Sequence, residues 1–335
     1  MRRARSRLPD PGKSTQTPSP FTMTKPRKRS SPRLSDDTVE RLLLAPRQLQ
    51  HLLDLTASTD GLGTPPDRSH LSERWRDASR EYQRLTSQEA GAADGIDIRP
   101  MPKSMSKHLA QLVALPGVRR TFDTVPVAFG LVELDKLVIS QFSMTQAVID
   151  RIVEDHPLPM SPRRLAELCL PVNPTAASFR LASRSDREFT FVADAHDMRF
   201  LDAQVLDPVD VKQAEVMGHP KAVVALSVGF SANLLNAVRL NGRVALNNGH
   251  HRALALRRLG FTHAPCLIQP CASDDDLGQA ATRELCNNAD LYFHSPRPPL
   301  LRDFDNPRLT VSVKTPRMRR VVTLKVEVQR QLMAL

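Results

Sequence analysis

The sequence predicts an α/β protein (α+β in the broader sense), and three observations carry that prediction. From about residue 122 onward, runs rich in Val, Leu and Ala with strand composition alternate with runs whose apolar residues recur at helical spacing. Asn241-Gly242 stands between two apolar runs, the dipeptide a tight hairpin favours because both central residues need a positive φ. Gly249 then joins that hairpin to a helical run that Gly260 ends, and a further apolar run follows at 263–269.

At 335 residues the chain has ample length for a buried core, as one large domain or two smaller ones. Hydrophobic residues make up 41% but aromatic residues only 4%, so Leu, Val and Ala must form most of the core. No stretch approaches 18 uninterrupted apolar residues, which argues against a membrane helix and a membrane partner. The start, MRRARSRLPDPGK, is basic with no hydrophobic run behind it, unlike a secretory signal. Like a transit peptide it is rich in Arg and Ser, but its prolines and lack of amphipathic period oppose that reading. A second methionine, Met23, leaves open whether residues 1–22 belong to the native protein.

The formal net charge is +11, and residues 1–35 carry ten Lys and Arg against Asp10 alone. The remainder is therefore close to neutral. Rich in Pro, Ser, Arg and Lys, residues 1–34 read as a disordered basic tail. Such a tail can supply nonspecific affinity for DNA through counterion release, or it can be a solvated segment without a partner. Cys169, Cys266, Cys271 and Cys286 have no Cys-x-x-Cys spacing, so free thiols in a reducing, cytoplasmic setting are the expectation.

Residues 35–121 are expected to form a helical, peripheral extension. Asp37 and Glu40 have capping-box spacing before Val39, Leu42, Leu43, Leu49, Leu52 and Leu53, with Pro46 as a break or kink. A linker is expected at 56–70, then helices at 71–86 and 104–115. The main domain is expected at 122–290. It opens with a strand at 124–134, and Ser143 and Gln146 have capping-box spacing for a helix that Pro157 ends. Runs 187–193 and 198–206 around a turn at Asp194–Asp197 read as a hairpin, Asp207-Pro208 starts a short helix, and 221–230 reads as a buried strand. The hairpin 234–248, the helix 250–259 and the strand 263–269 follow, then a helix from Ser273 to about Cys286. Residues 291–335 are expected to be a β-rich addition with a hairpin of 309–314 and 320–328.

The chemistry concentrates at Asn248-Gly249-His250-His251-Arg252. A strand ending at a helix start exposes backbone N–H groups, and the helix dipole adds partial positive charge. Gly249 permits close backbone approach, Arg252 offers a fork of donors, and His250 or His251 can donate as well. These features suit a phosphate or carboxylate; alternatively, the turn is only the solvated first turn of a helix. Adjacent histidines on a helix point about 100° apart, so a shared metal ion would need further ligands such as Asp194 or Asp197. Glu133 and Asp135, at the end of the leading strand, become general-base candidates if they face this turn. Asp194, Asp197 and Arg199 are candidates on the same condition, or only a turn with a salt bridge. Arg257 and Arg258 are expected on the solvated helix face, and Asp274–Asp276 as N-terminal helix charge.

The string NGHHRALALRRLGFTHAPCLI resembles the Gly-x-His-Arg motif of the ParB/sulfiredoxin-like superfamily. In that superfamily a hairpin leads into the motif, and a helix, a glycine and a short strand follow. Gly249-His250-His251-Arg252, Ala255, Leu259-Gly260 and Ala264-Pro265-Cys266 stand in that order here, and 129–153 resembles the superfamily's leading strand and helix. The resemblance implies a nucleotide-phosphate pocket at the helix start, with Asn248, Gly249, His250, His251 and Arg252 around ATP or CTP and its Mg²⁺. It implies a nucleotide-binding regulatory or DNA-associated protein. The alternatives are a metal-dependent nuclease, an ATP-dependent phosphoryl-transfer enzyme with His250, His251 or Glu133 in the chemistry, or a protein-interaction module without ligand. His250 stands where sulfiredoxin has its catalytic cysteine, which excludes sulfinic acid reduction by that route. Asn248 stands where many enzymatic members have aspartate, which favours binding over catalysis. The partition proteins carry a helix-turn-helix domain after the motif, whereas the C-terminal tail here reads as strands.

Overall fold

The computed structural model describes residues 37–57, 67–173, 178–195, 198–211, 218–230 and 233–333, within a single unit spanning Asp36–Leu335. The basic tail, most of the expected linker, and His196 and Asp197 lie outside the described residues. The α/β class holds, with helices and several sheets interleaved along the chain. Strand pairing crosses the boundaries expected near residues 121 and 290. The first strand, β1 (Asp37–Leu43), lies between β4 (Ser143–Thr145) and β12 (Thr310–Pro316), antiparallel to both.

That strand corrects the helix expected from residue 37. Leu42, Leu43 and Leu44 are consecutive and all buried, which suits a strand covered on both faces and not one stripe of a helix. Pro46 removes an N–H and disfavours helix at the residue before it, so α1 begins only at Leu49 (Leu49–Ala57). Glu40 and Ser143 are not helix caps. The Glu40 carboxylate accepts the Ser143 hydroxyl at 2.7 Å and the Thr145 hydroxyl at 2.6 Å, a polar tie across the β1–β4 pair. The N-terminal extension is also not peripheral, because α2 (Arg68–Gln88) buries Leu71, Ala78, Tyr82 and Leu85 in the main core.

The central sheet has the order β10-β9-β11-β3-β2. Its strands are β2 (Ile98–Pro100), β3 (Ala128–Glu133), β9 (Asn236–Leu240), β10 (Arg243–Asn248) and β11 (His263–Pro270). Between β2 and β3 run α3 (Ser106–Ala114) and α4 (Pro116–Thr121). Asn241 and Gly242, at φ 51° and 78°, make the tight turn from β9 to β10. Helix α7 (His250–Arg258) carries the chain over to β11, which pairs with β9 in parallel and with β3 antiparallel. Ala253, Leu254, Ala255 and Leu256 of α7 are all buried, and Gly260 at φ 86° ends the helix as expected.

Two helices cover this unit before the chain departs from it: α5 (Gln146–Asp155) and α6 (Pro162–Cys169). The chain then makes an excursion through β5 (Phe179–Arg184), β6 (Glu188–Ala193), β7 (Met198–Leu206), a 3₁₀ turn at Pro208–Asp210 and β8 (Val223–Phe230). It returns at Asn233. The hairpin expected from β6 and β7 does not form: β6 pairs with β5 and with β13 (Arg320–Lys325), while β7 pairs with β8. The C-terminal hairpin likewise does not form, since β12 pairs with β1 and β13 with β6. The run at 221–230 is a strand but not a buried one, with Val224 65% exposed.

The helix expected from Ser273 is interrupted, giving α8 (Asp274–Ala280) and α9 (Arg283–Asn287). Residues 291–313 are not an addition either. Tyr292, Leu300, Leu301 and Phe304 are buried, and Val138 bridges both Ala245 and Leu300. Among the described residues no helix is long and apolar enough to cross a membrane.

Candidate functional site

The turn from β10 into α7 needs glycine on two independent counts. Gly249 has φ 96°, and a Cβ there would lie 3.0 Å from both Cα and Cγ of Leu235. The glycine therefore lets the helix start press against the strand that returns from the excursion. Among the described residues no side chain caps α7, whose N-terminus faces a pocket of about 470 Å³. One wall is the Val148, Ile152 and His156 face of α5, spaced four residues apart. Arg164, Glu167, Leu168 and Pro171 form a second wall, and Asn233, Asn248, Gly249, His251 and Arg252 complete the lining.

Four of the five expected residues thus line one cavity, and the fifth does not. His250 is buried, and its Nε2 accepts the backbone N–H of Ser140 at 3.4 Å. Burial, reinforced by His251 beside it, holds the His250 imidazole down to about 3, so it is neutral and withdrawn at neutral pH. It is therefore poorly placed to exchange a proton with a ligand in the pocket. His251 does line the pocket, but its Nε2 accepts the Thr145 backbone N–H at 3.0 Å. Together the two rings fasten the first turn of α7 to the segment between β3 and α5.

Arg252 is buried as well, and its guanidinium works as a connector. Nη1 donates to the carbonyls of Leu168 at 2.9 Å and Cys169 at 3.2 Å, in the last turn of α6. Those are helix-end carbonyls that have no partner within their own helix. Nη2 donates to Oδ1 of Asn233 at 2.9 Å. Asn248 reaches the same place, donating to the Leu234 carbonyl at 3.1 Å and to Asn233 Oδ1 at 3.4 Å. Its neighbour Asn247 points to the other side of β10. There it donates to Ala280 and accepts from the Thr282 N–H, tying down the junction of α8 and α9.

The acidic candidates belong elsewhere. Glu133 accepts the Asp97 N–H at 3.0 Å and Asp135 pairs with Arg257. Register explains this: Glu133 lies opposite His263, where β11 begins, and so sits near the C-terminal end of α7. Nine residues at 1.5 Å each separate it from the pocket end. Arg257 and Arg258 are not simply solvated, for they meet Asp135, Asp150 and Asp305. Asp194 pairs with Arg319, Arg199 is exposed, and neither lines the pocket. The residues missed from sequence are His156, Arg164, Glu167 and Asn233. They come from α5, α6 and the return loop, and only the amphipathic pattern of the two helices hinted at them.

Electrostatically the lining favours anions, with the guanidinium groups of Arg164 and Arg252 against the single carboxylate of Glu167. Three buried thiols are poor nucleophiles: burial pushes Cys169 up to about 12 and Cys271 to about 11, and raises Cys266 too. Among the described residues no three His, Cys, Asp or Glu side chains gather closely enough to hold a metal ion. No protein-family model, curated protein or solved structure matches the chain.

Proposed function

We propose that this chain is a ParB/sulfiredoxin-like nucleotide-binding protein, regulatory or DNA-associated, that holds phosphates at the Gly249–Arg252 turn. The observation that carries this reading is the cationic pocket opening on the N-terminus of α7. Its volume lies in the range of small-molecule sites, and Val148, Ile152, Leu168 and Pro171 offer apolar surface for a base or sugar. The order of hairpin, left-handed glycine, helix, glycine and strand beside β3 supports the resemblance.

In this reading the first-turn N–H groups of α7 and the Arg164 side chain take the phosphate oxygens. Asn248 and Arg252 keep the surrounding walls in place. ATP or CTP would bring Mg²⁺ on its own phosphates, and the ion would supply charge neutralisation there. Binding is favoured over turnover because His250 is withdrawn from the pocket and Glu133 lies at the other end of α7. DNA association would fall to the basic tail.

Thermal shift and calorimetric titration with ATP, CTP and GTP, with and without Mg²⁺, test the reading. A nucleotide at a hundred times its Kd should stabilise the protein by about 2.7 kcal/mol. Arg164→Ala should weaken that binding at least tenfold with the unfolding midpoint of the free protein nearly unchanged. No stabilisation of the wild type by any nucleotide would sink the proposal. Sustained hydrolysis that His251→Ala abolishes would convert it to the enzymatic alternative.

A further inference from the structure

We infer that occupancy of this pocket controls how firmly the β5–β8 excursion is held, with Asn233 and Arg252 as the coupling residues. The inference rests on the pocket reading above and adds what the pocket regulates. Residues leaving the central unit exit through the end of α6 and re-enter at Asn233, so the excursion has two roots. Both roots are fastened to the motif, the exit root by Arg252 and the return root by Arg252, Asn248 and Gly249. Arg252 holds the exit root through the Leu168 and Cys169 carbonyls and the return root through Asn233 Oδ1. Asn248 donates to Asn233 and Leu234, and Gly249 presses on Leu235. The roots also meet directly, the Leu235 N–H donating to the Cys169 carbonyl at 2.7 Å.

Asn233 is set for this role by its backbone. At φ 46° it occupies the left-handed region, which asparagine tolerates better than most residues. The pocket is walled by both roots, Leu168 and Pro171 on one side and Asn233 on the other. A ligand seated there touches both at once and closes them against α7. Beyond the roots the excursion is thinly packed, with Phe200, Leu201, Val205 and Val224 exposed. Thin packing places its opening free energy below that of the core, where added root contacts have the largest effect.

Hydrogen exchange of the full chain, read by mass spectrometry, tests the coupling with ATP, CTP and inorganic phosphate as separate probes. Binding of each is measured calorimetrically on the same preparation. A probe that binds should slow exchange in β5–β8 severalfold, as well as in the first turn of α7. In Asn233→Ala, at a probe concentration saturating that variant, slowing at α7 should persist while slowing in β5–β8 falls by at least half. If Asn233→Ala does not unfold cooperatively, Arg252→Lys, which keeps the charge but loses the fork, takes its place. Binding with unchanged or faster exchange in β5–β8 overturns the coupling and leaves the pocket reading intact. If no probe binds, the pocket reading fails and the coupling with it.

Discussion

The β10–α7–β11 unit and the β5–β8 excursion are built from similar residues and reach opposite physical outcomes. Val244, Ala245 and Leu246 of β10 are buried in succession, and so are Ala264 through Gln269 of β11. Every residue of β5 is exposed, and β8 has Val224 and Leu226 turned outward although its sequence, VVALSVGF, is as apolar as any strand in the chain. An apolar run is thus no measure of burial on its own. What decides is whether the strand's faces are covered, as those of β10 and β11 are and those of the two-stranded β7–β8 ribbon are not. The difference assigns stability to one region and responsiveness to the other.

The largest expected effect lies on the core side. Arg297 is almost wholly buried and donates to both oxygens of Asp303, at 2.9 and 2.6 Å, and to Glu89. Asp303 also accepts the Leu300 N–H at 2.9 Å. Asp303→Ala leaves a buried guanidinium with the partly exposed Glu89 and the face of Tyr82, and removes an acceptor from a buried N–H. Breaking such a pair costs about 3–5 kcal/mol, which equilibrium urea denaturation would register as a lowered midpoint. A loss below about 1 kcal/mol would show that this layer is less tightly bound than its burial states.

A middle-sized effect should appear in the pH dependence. His250 titrates near 3 in the folded chain against an ordinary value of 6.5. Between those values the unfolded chain takes up a proton that the folded chain refuses. The contribution of His250 to stability is therefore flat above about pH 6.5 and falls as pH drops through the window, by up to about 1.4 kcal/mol per pH unit. Glu81, held down to about 2 chiefly by its hydrogen bonds from Arg84, loses stability in the same direction but only below its ordinary 4.5. Denaturation of wild type and His250→Gln between pH 6.5 and 5 separates the two. The wild type should lose stability over that interval and the variant should lose much less; parallel curves would mean the imidazole is not sequestered.

Local signals were legible in the sequence and long-range ones were not. Asn241-Gly242 specified its hairpin and Gly249 and Gly260 bounded α7, because each acts through its own φ. The pairing of β1 with β12 and of β13 with β6 joins residues more than a hundred positions apart, which no window of sequence contains. Reading β6 with β7 and β12 with β13 assumed that successive strands pair, which is common but not obligatory. The site divides the same way. Asn248, Gly249, His251 and Arg252 were visible as one string, whereas Asn233 and Arg164 join them only through the return loop and α6. The string could not reveal that Arg252 bridges two roots, because its partners there are two backbone carbonyls and one amide.

The smallest effect is expected in the excursion, from a pair that resembles Arg297–Asp303 only in chemistry. Arg319 donates to Asp194 at 3.0 Å, linking the approach to β13 with the end of β6, but both side chains are more than half exposed. Water solvates each partner in either state, and salt screens what attraction is left. Asp194→Ala should therefore change stability by less than about 0.5 kcal/mol, and raising the ionic strength should shrink even that. A cost comparable to that of Asp303→Ala would mean that the β6–β13 edge is held as firmly as the core. It would then be too stable for a ligand at its roots to regulate, and the contrast between the two regions would collapse where the coupling most depends on it.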